Sequence, residues 1–183
     1  MRSFQVAQDI YDATVVFCER FIDKKSRTHD QMIQAGRSGV QNIVEGSVAS
    51  ATSKKMEIKL TGVAKASLEE LLRDYEDYLR QNGLRKWDKD SPEAKRVREM
   101  YKLEKSDRSD QSERSDESDR LERYGIRTGS AELVANTLIC LIHQATYLLR
   151  RQLERLEQEF LEKGGFTERM YWERKRWRDK EKE

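Results

Sequence analysis

The sequence predicts an all-α fold: an antiparallel up-down four-helix bundle with a long charged insertion between helices three and four and a short C-terminal helical extension. Three observations lead there. Apolar residues recur at three- and four-residue steps through four long stretches, the spacing of one helix face. A single proline and nine glycines in 183 residues leave few places to turn the chain, whereas a β-sandwich needs many. Charged residues make up 38% of the chain against 36% hydrophobic, so its helices must carry broad solvated faces. The length suits one domain with a real core plus appendages.

From Phe4 to Ile22 the apolar positions form two stripes. Val6, Ile10, Phe17 and Phe21 make the first; Phe4, Tyr11, Val15, Cys18 and Ile22 make the second, on another face. One stripe suffices for an isolated bundle. The second predicts either a further copy of the chain covering it or a helix sunk deeper into its own fold. Thr28-His29-Asp30-Gln31 has the form of a capping box and starts a second helix that runs to about Ser50, with Met32, Gly36, Val40, Ile43 and Ser47 as its stripe. Ala35, Gly36, Ser38 and Gly39 cluster within it. A mid-helix glycine costs about 1 kcal/mol relative to alanine, so close approach of another helix is the expected compensation. Thr52 or Ser53 caps a third helix whose stripe runs Met56, Leu60, Val63, Ala64, Ser67, Leu71, Tyr75 and Tyr78, and Asn82-Gly83 stops it. Residues 1–83 therefore hold the first three helices.

Residues 84–103 form a short basic helix after the Ser91-Pro92 start signal, with seven basic residues against four acidic. From Lys105 to Arg120 no residue is apolar, and a Ser-acid pair recurs every third position from Ser106-Asp107 to Ser118-Asp119. Such a segment buries nothing that offsets its ordering entropy, so 104–128 reads as a disordered tether. Ser130 opens the longest pattern, through Leu133, Leu138, Ile142, Leu149, Leu156 and Phe160 to Gly164-Gly165. Residues 129–165 thus supply the fourth bundle helix. Residues 166–183 form a suffix in which Tyr171, Trp172 and Trp177 stand among alternating charges.

The residues that could carry chemistry are few. Cys140 and His143, three apart on one helix, could present a thiolate-imidazole pair or half a zinc site, but a second ligand pair is lacking, and a core cysteine beside a hydrogen-bonded histidine suits so apolar a run better. Neither histidine follows a glutamate by three residues, as ferritin-like metal chemistry requires, and phosphate loops and nucleophile elbows are missing. No enzyme activity, cofactor or metal is expected. Basic residues could meet a nucleic-acid backbone at Lys54, Lys55, Lys59 and Lys65 on helix three and at Arg169, Arg174, Lys175, Arg176 and Arg178 around the suffix tryptophans. The net charge is only +2, and a solvated face balanced by glutamates is the plain alternative. Asn42 and Glu45 lie on one helix face beside small residues and suit a close polar contact within the chain or between subunits. Asp9 and Asp12 exclude a signal peptide, nothing approaches a membrane span, and two isolated cysteines fit a reducing compartment, so a cytoplasmic location without membrane contact is expected.

Two strings carry a resemblance. Arg37-Ser38-Gly39-Val40-Gln41-Asn42-Ile43-Val44-Glu45-Gly46 and Lys59-Leu60-Thr61-Gly62-Val63-Ala64-Lys65-Ala66-Ser67-Leu68-Glu69-Glu70-Leu71 resemble the helix-two and helix-three signatures of the bacterial four-helix-bundle proteins. That family was first noticed as products of intervening sequences in large-subunit ribosomal RNA genes, and its relatives include the accessory variability determinant of diversity-generating retroelements. The Ser-Asp-Arg repeats, Leu138-Ile139-Cys140-Leu141-Ile142-His143-Gln144-Ala145 and Gly164-Gly165-Phe166-Thr167-Glu168-Arg169-Met170 resemble its branch with a C-terminal suffix region. The resemblance covers essentially the whole chain, although Gly39 replaces an alanine and compact members lack the tether. It implies a ring of copies of the chain, usually five, without catalytic chemistry. Binding to RNA or DNA and to a reverse transcriptase is implied for the retroelement relatives. Arg37 joins the nucleic-acid candidates, and Tyr11, Val15, Cys18, Ile22, Asn42 and Glu45 are the expected oligomer interface. A protein-interaction scaffold that docks a partner on the Trp-rich suffix is the alternative.

Overall fold

A computed structural model describes residues 2–107 and 121–180, and the long elements among them are helices: α1 (Arg2–Phe21), α2 (Arg27–Ala49), α3 (Lys54–Gln81), α4 (Pro92–Asp107), α5 (Ala131–Lys163) and α6 (Phe166–Lys180). The described residues contain no strand. The boundaries follow local chemistry. The extended backbone of Ser53 and its hydroxyl, which accepts from the Met56 N–H at 3.2 Å, make it the cap of α3; Ser130 caps α5 in the same way through the Leu133 N–H. Gly83, at φ +66°, lets the Leu84 N–H return to the Leu79 carbonyl at 2.9 Å and close α3. The start of α2 differs from expectation: Ser26, not Thr28, is the cap, because its backbone is extended and its hydroxyl accepts from the Thr28 N–H.

Helix α1 lies against α2 and α5, α3 lies against the same two, and α4 rests on α5. Ile10, Phe17, Met32, Leu68, Leu71, Tyr75, Leu138, Ile142 and Leu149 are buried where the four long helices meet. Phe17 is edge-on to both Tyr75 and Tyr78, at 5.0 and 4.9 Å between ring centroids. The buried Tyr75 hydroxyl donates to Thr14 Oγ1 at 2.9 Å, which donates to the Ile10 carbonyl, so the core leaves these groups paired. The small residues of α2 let helices come close: a Cβ at Gly36 would stand 3.3 Å from the Tyr11 ring, and one at Gly39 would stand 2.9 Å from Leu68 Cδ2.

The stripes differ in part from expectation. Glu57 and Thr61 are buried in α3 while Met56 and Val63 are exposed, and Ser47 of α2 is exposed where Gly46 is buried. A glycine or threonine beside a close neighbouring helix is buried without any apolar signal. The second stripe of α1 is largely covered by its own chain. Cys18 is fully buried, and Phe4, Tyr11 and Ile22 are partly buried against the core, so Cys18 offers no surface to another copy. The deeper-seated reading of α1 accounts for these positions; Val15 is half-buried.

The insertion between α3 and α5 is more structured than a tether. Helix α4 runs to Asp107, and the expected disorder of the Ser-acid repeat falls chiefly on residues 108–120, outside those described. Beyond them Leu121, Tyr124 and Ile126 are buried, which corrects the tether boundary at 128. Arg20 of α1 fastens this return, donating to the carbonyls of Ile126 at 2.5 Å and Gly129 at 2.8 Å. One stretch within Ala131–Asp179 is also long and apolar enough to cross a membrane, contrary to the expectation that nothing approaches a span; 56% of it is buried inside the fold, as in a core helix.

Candidate functional site

The basic positions singled out from the sequence fall into three groups. On α3, Lys54 donates to Glu57 at 2.8 Å and lies 3.6 Å from Glu159 of α5, while Lys65 pairs with Glu69 at 2.6 Å. Their charge is spent within the fold. Lys55 and Lys59, four residues apart and both exposed, share a different face of the helix, so the four lysines do not form one patch. Arg37 is exposed on α2. The remaining five lie on α6.

Helix α6 begins at a sharp break: Gly164 has φ +65°, and the Gly165 N–H donates to Glu168 Oε2 at 2.8 Å, which seats an acid in the first turn where the helix dipole favours it. From Phe166 to Asp179 every side chain described is exposed, including Trp172 at 57% and Trp177 at 63%. Arg176 pairs with Glu173 at 3.3 Å, and Lys175 Nζ stands 5.2 Å from the centre of the Trp172 ring, itself edge-on to Tyr171. Arg169, Arg174 and Arg178 have no carboxylate within ion-pair distance among the described residues. Cations and flat rings thus alternate along one solvated helix.

The Asn42 position resolves within the chain. Its amide donates to the Ser38 carbonyl at 2.8 Å and to Ser38 Oγ at 3.2 Å, and Ser38 Oγ is 3.0 Å from Ser67 Oγ on α3. This polar seam runs between α2 and α3 of one copy. Glu45 is exposed outside it. Apolar side chains that face water on these two helices are Val44, Val48, Met56 and Val63, none of which was among the expected interface positions. A stripe that looks core-like in sequence conceals such a face.

Sequence reasoning also missed a cleft. Asn136, fully enclosed on α5, accepts the Trp87 N–H at 2.7 Å and donates to the carbonyls of Arg85 and Glu132, both at 2.8 Å. The Arg85 N–H reaches Glu132 Oε2 at 3.1 Å. These bonds hold the backbone of residues 85–87 along α5, and Trp87 lines two cavities there, of about 400 and 250 Å³. Cys140 and His143 both line the larger one. Burial pushes the Cys140 thiol above its ordinary pKa, with Arg98 opposing, so it stays protonated near neutrality and lacks the thiolate a nucleophile needs. The described residues contain no group of three His, Cys, Asp or Glu side chains placed to hold a metal ion. Comparison of the chain with protein-family models, with curated proteins and with solved structures finds no match.

Proposed function

We propose that the protein is a non-enzymatic, self-associating up-down four-helix bundle that binds RNA or DNA through backbone charge, with α6 as the main contact, as an accessory to another enzyme such as a reverse transcriptase. One observation carries the binding half of this reading: α6 presents arginines with no ion-pair partner among the described residues, together with exposed indoles, on a helix whose described side chains are all solvated. Cations supply attraction to phosphate, and rings supply stacking that tolerates any base. Copies in a ring, five by the family resemblance, would multiply a patch too small to bind alone. The bundle part of the reading is supported by the packing of α1 and α3 each against α2 and α5.

A protein-docking role for α6 is the second reading. Phe166, Met170 and Trp177 fall on one side of the helix at helical spacing, as an amphipathic helix offers to a groove. Fluorescence anisotropy with a labelled mixed-sequence strand of about 20 nucleotides separates the two. Binding at about 50 mM salt that weakens steeply as salt rises, and that falls about tenfold when residues 166–183 are removed, is the expected result. No detectable binding at low salt leaves the docking role as the better account of α6.

A further inference from the structure

We infer that the cleft between residues 86–89, α4 and α5 is a binding site for a mononucleotide, holding its phosphate on Arg98 and Lys89 and its base against Trp87. The site is separate from α6 and independent of the reading given for it. Its volume of about 400 Å³ lies within the roughly 300–1,000 Å³ of small-molecule sites. Four groups able to carry positive charge line it, Lys86, Lys89, Arg98 and His143, against a single carboxylate, Asp88.

The pairing of these groups decides what the cleft lacks. Lys86 is neutralised by Glu76 at 2.5 Å, and Asp88 Oδ1 is occupied by the Asp90 N–H at 2.8 Å. Lys89 and Arg98 have no carboxylate within ion-pair distance among the described residues, yet Arg98 is half-buried. With no described carboxylate beside it, the Arg98 guanidinium is free to take an anion, and its planar fork suits a phosphate's oxygens. Trp87, whose backbone N–H is held by Asn136, lines the same cleft together with the apolar Ile139. An anion with a flat body fits charge and wall together. A bare anion would leave the ring idle, and a neutral aromatic would leave the guanidinium unpaired.

Calorimetric titration of the full chain with AMP, inorganic phosphate and adenosine tests the assignment. AMP should bind, with phosphate and adenosine each at least about tenfold weaker, and Arg98→Ala should weaken AMP by about tenfold through loss of one charge-assisted contact. Lys89→Ala, at an exposed position that does not support the fold, should weaken it in the same direction, and neither change should alter oligonucleotide binding by α6. The assignment is overturned by any of three results: no heat with AMP up to about 10 mM, phosphate binding as tightly as AMP, or Lys89→Ala and Arg98→Ala variants that bind AMP like the parent.

Discussion

Gly39 and Gly62 weaken their helices equally through backbone entropy but stand in opposite surroundings. A Cβ at Gly39 would meet Leu68, a fully buried side chain, at 2.9 and 3.0 Å; at Gly62 nothing lies within 4 Å. Gly62→Ala should therefore stabilise the protein by about 0.5–1 kcal/mol, the helix-propensity gain alone. Gly39→Ala should destabilise it by about 1 kcal/mol, because overpacking a core site costs roughly 1–3 kcal/mol and exceeds that gain. Urea unfolding of the two variants checks both signs, and stabilisation by both would mean that Leu68 has room to move. That a neighbour stood close to α2 was legible from its glycines, but which side chain filled the space was not, since Leu68 looks like any flank leucine. Asp74 was not legible at all. Burial, then Glu70 and Asp77, raise its carboxyl from 3.8 to about 6. The folded state holds that proton more tightly than the unfolded chain, so Asp74's contribution is full below pH 4 and is lost as pH rises through 6. Asp74→Asn should accordingly raise stability at pH 7, by no more than about 1 kcal/mol once solvent screening of a half-buried group is allowed for. Thermal melts at pH 7 and at pH 4 should show the advantage shrinking toward the acid side; an equal advantage at both would assign it to packing.

At the scale of elements, starts and stops were the readable features wherever a single residue type does the work. Ser130, Gly83 and Gly164 mark helix ends as their chemistry requires. The return of the insertion was hidden because Leu121, Tyr124 and Ile126 span six residues, too short for any period to show, and follow a long polar run. The link between the insertion and α5 was hidden more deeply, since one asparagine in an apolar stretch gives no sign that it serves as anchor. Asn136→Ala should leave the Trp87 N–H and the Arg85 carbonyl without their partner, at about 1–3 kcal/mol for each group that water cannot reach. The loss should be local. Hydrogen exchange at Trp87 should accelerate strongly while amides in the middle of α2 and α3 keep their protection, because those helices pack chiefly on each other and on α1 and α5. Uniform acceleration across the chain would instead make the insertion part of the cooperative core.

For the whole molecule, the charge balance of +2 said little, since the arginines of α6 and the paired lysines of α3 count alike in a sum. Of the second stripe of α1, from which association was argued, Cys18 is covered within one chain and Phe4, Tyr11 and Ile22 are partly covered, so α1 leaves little apolar surface for another copy. The exposed apolar residues move that argument to the outside of α2 and α3. Val48 is 73% exposed, and Met56 and Val63, two turns apart, share one side of α3. Met56 and Val63 are 44% and 39% exposed, so burying the remainder yields about 1 kcal/mol each, and a surface that is repeated in every copy can close a ring. Self-association through this face predicts that the parent chain scatters light as a multiple of 21.7 kDa and that Met56→Glu with Val63→Glu reduces it to a single copy, because two carboxylates would be desolvated at each contact. Circular dichroism of the double variant should be unchanged, since both positions already face water. A parent protein that stays at 21.7 kDa at high concentration would leave these valines and Met56 as ordinary surface and remove the multiplied patch on which the proposed nucleic-acid binding by α6 depends.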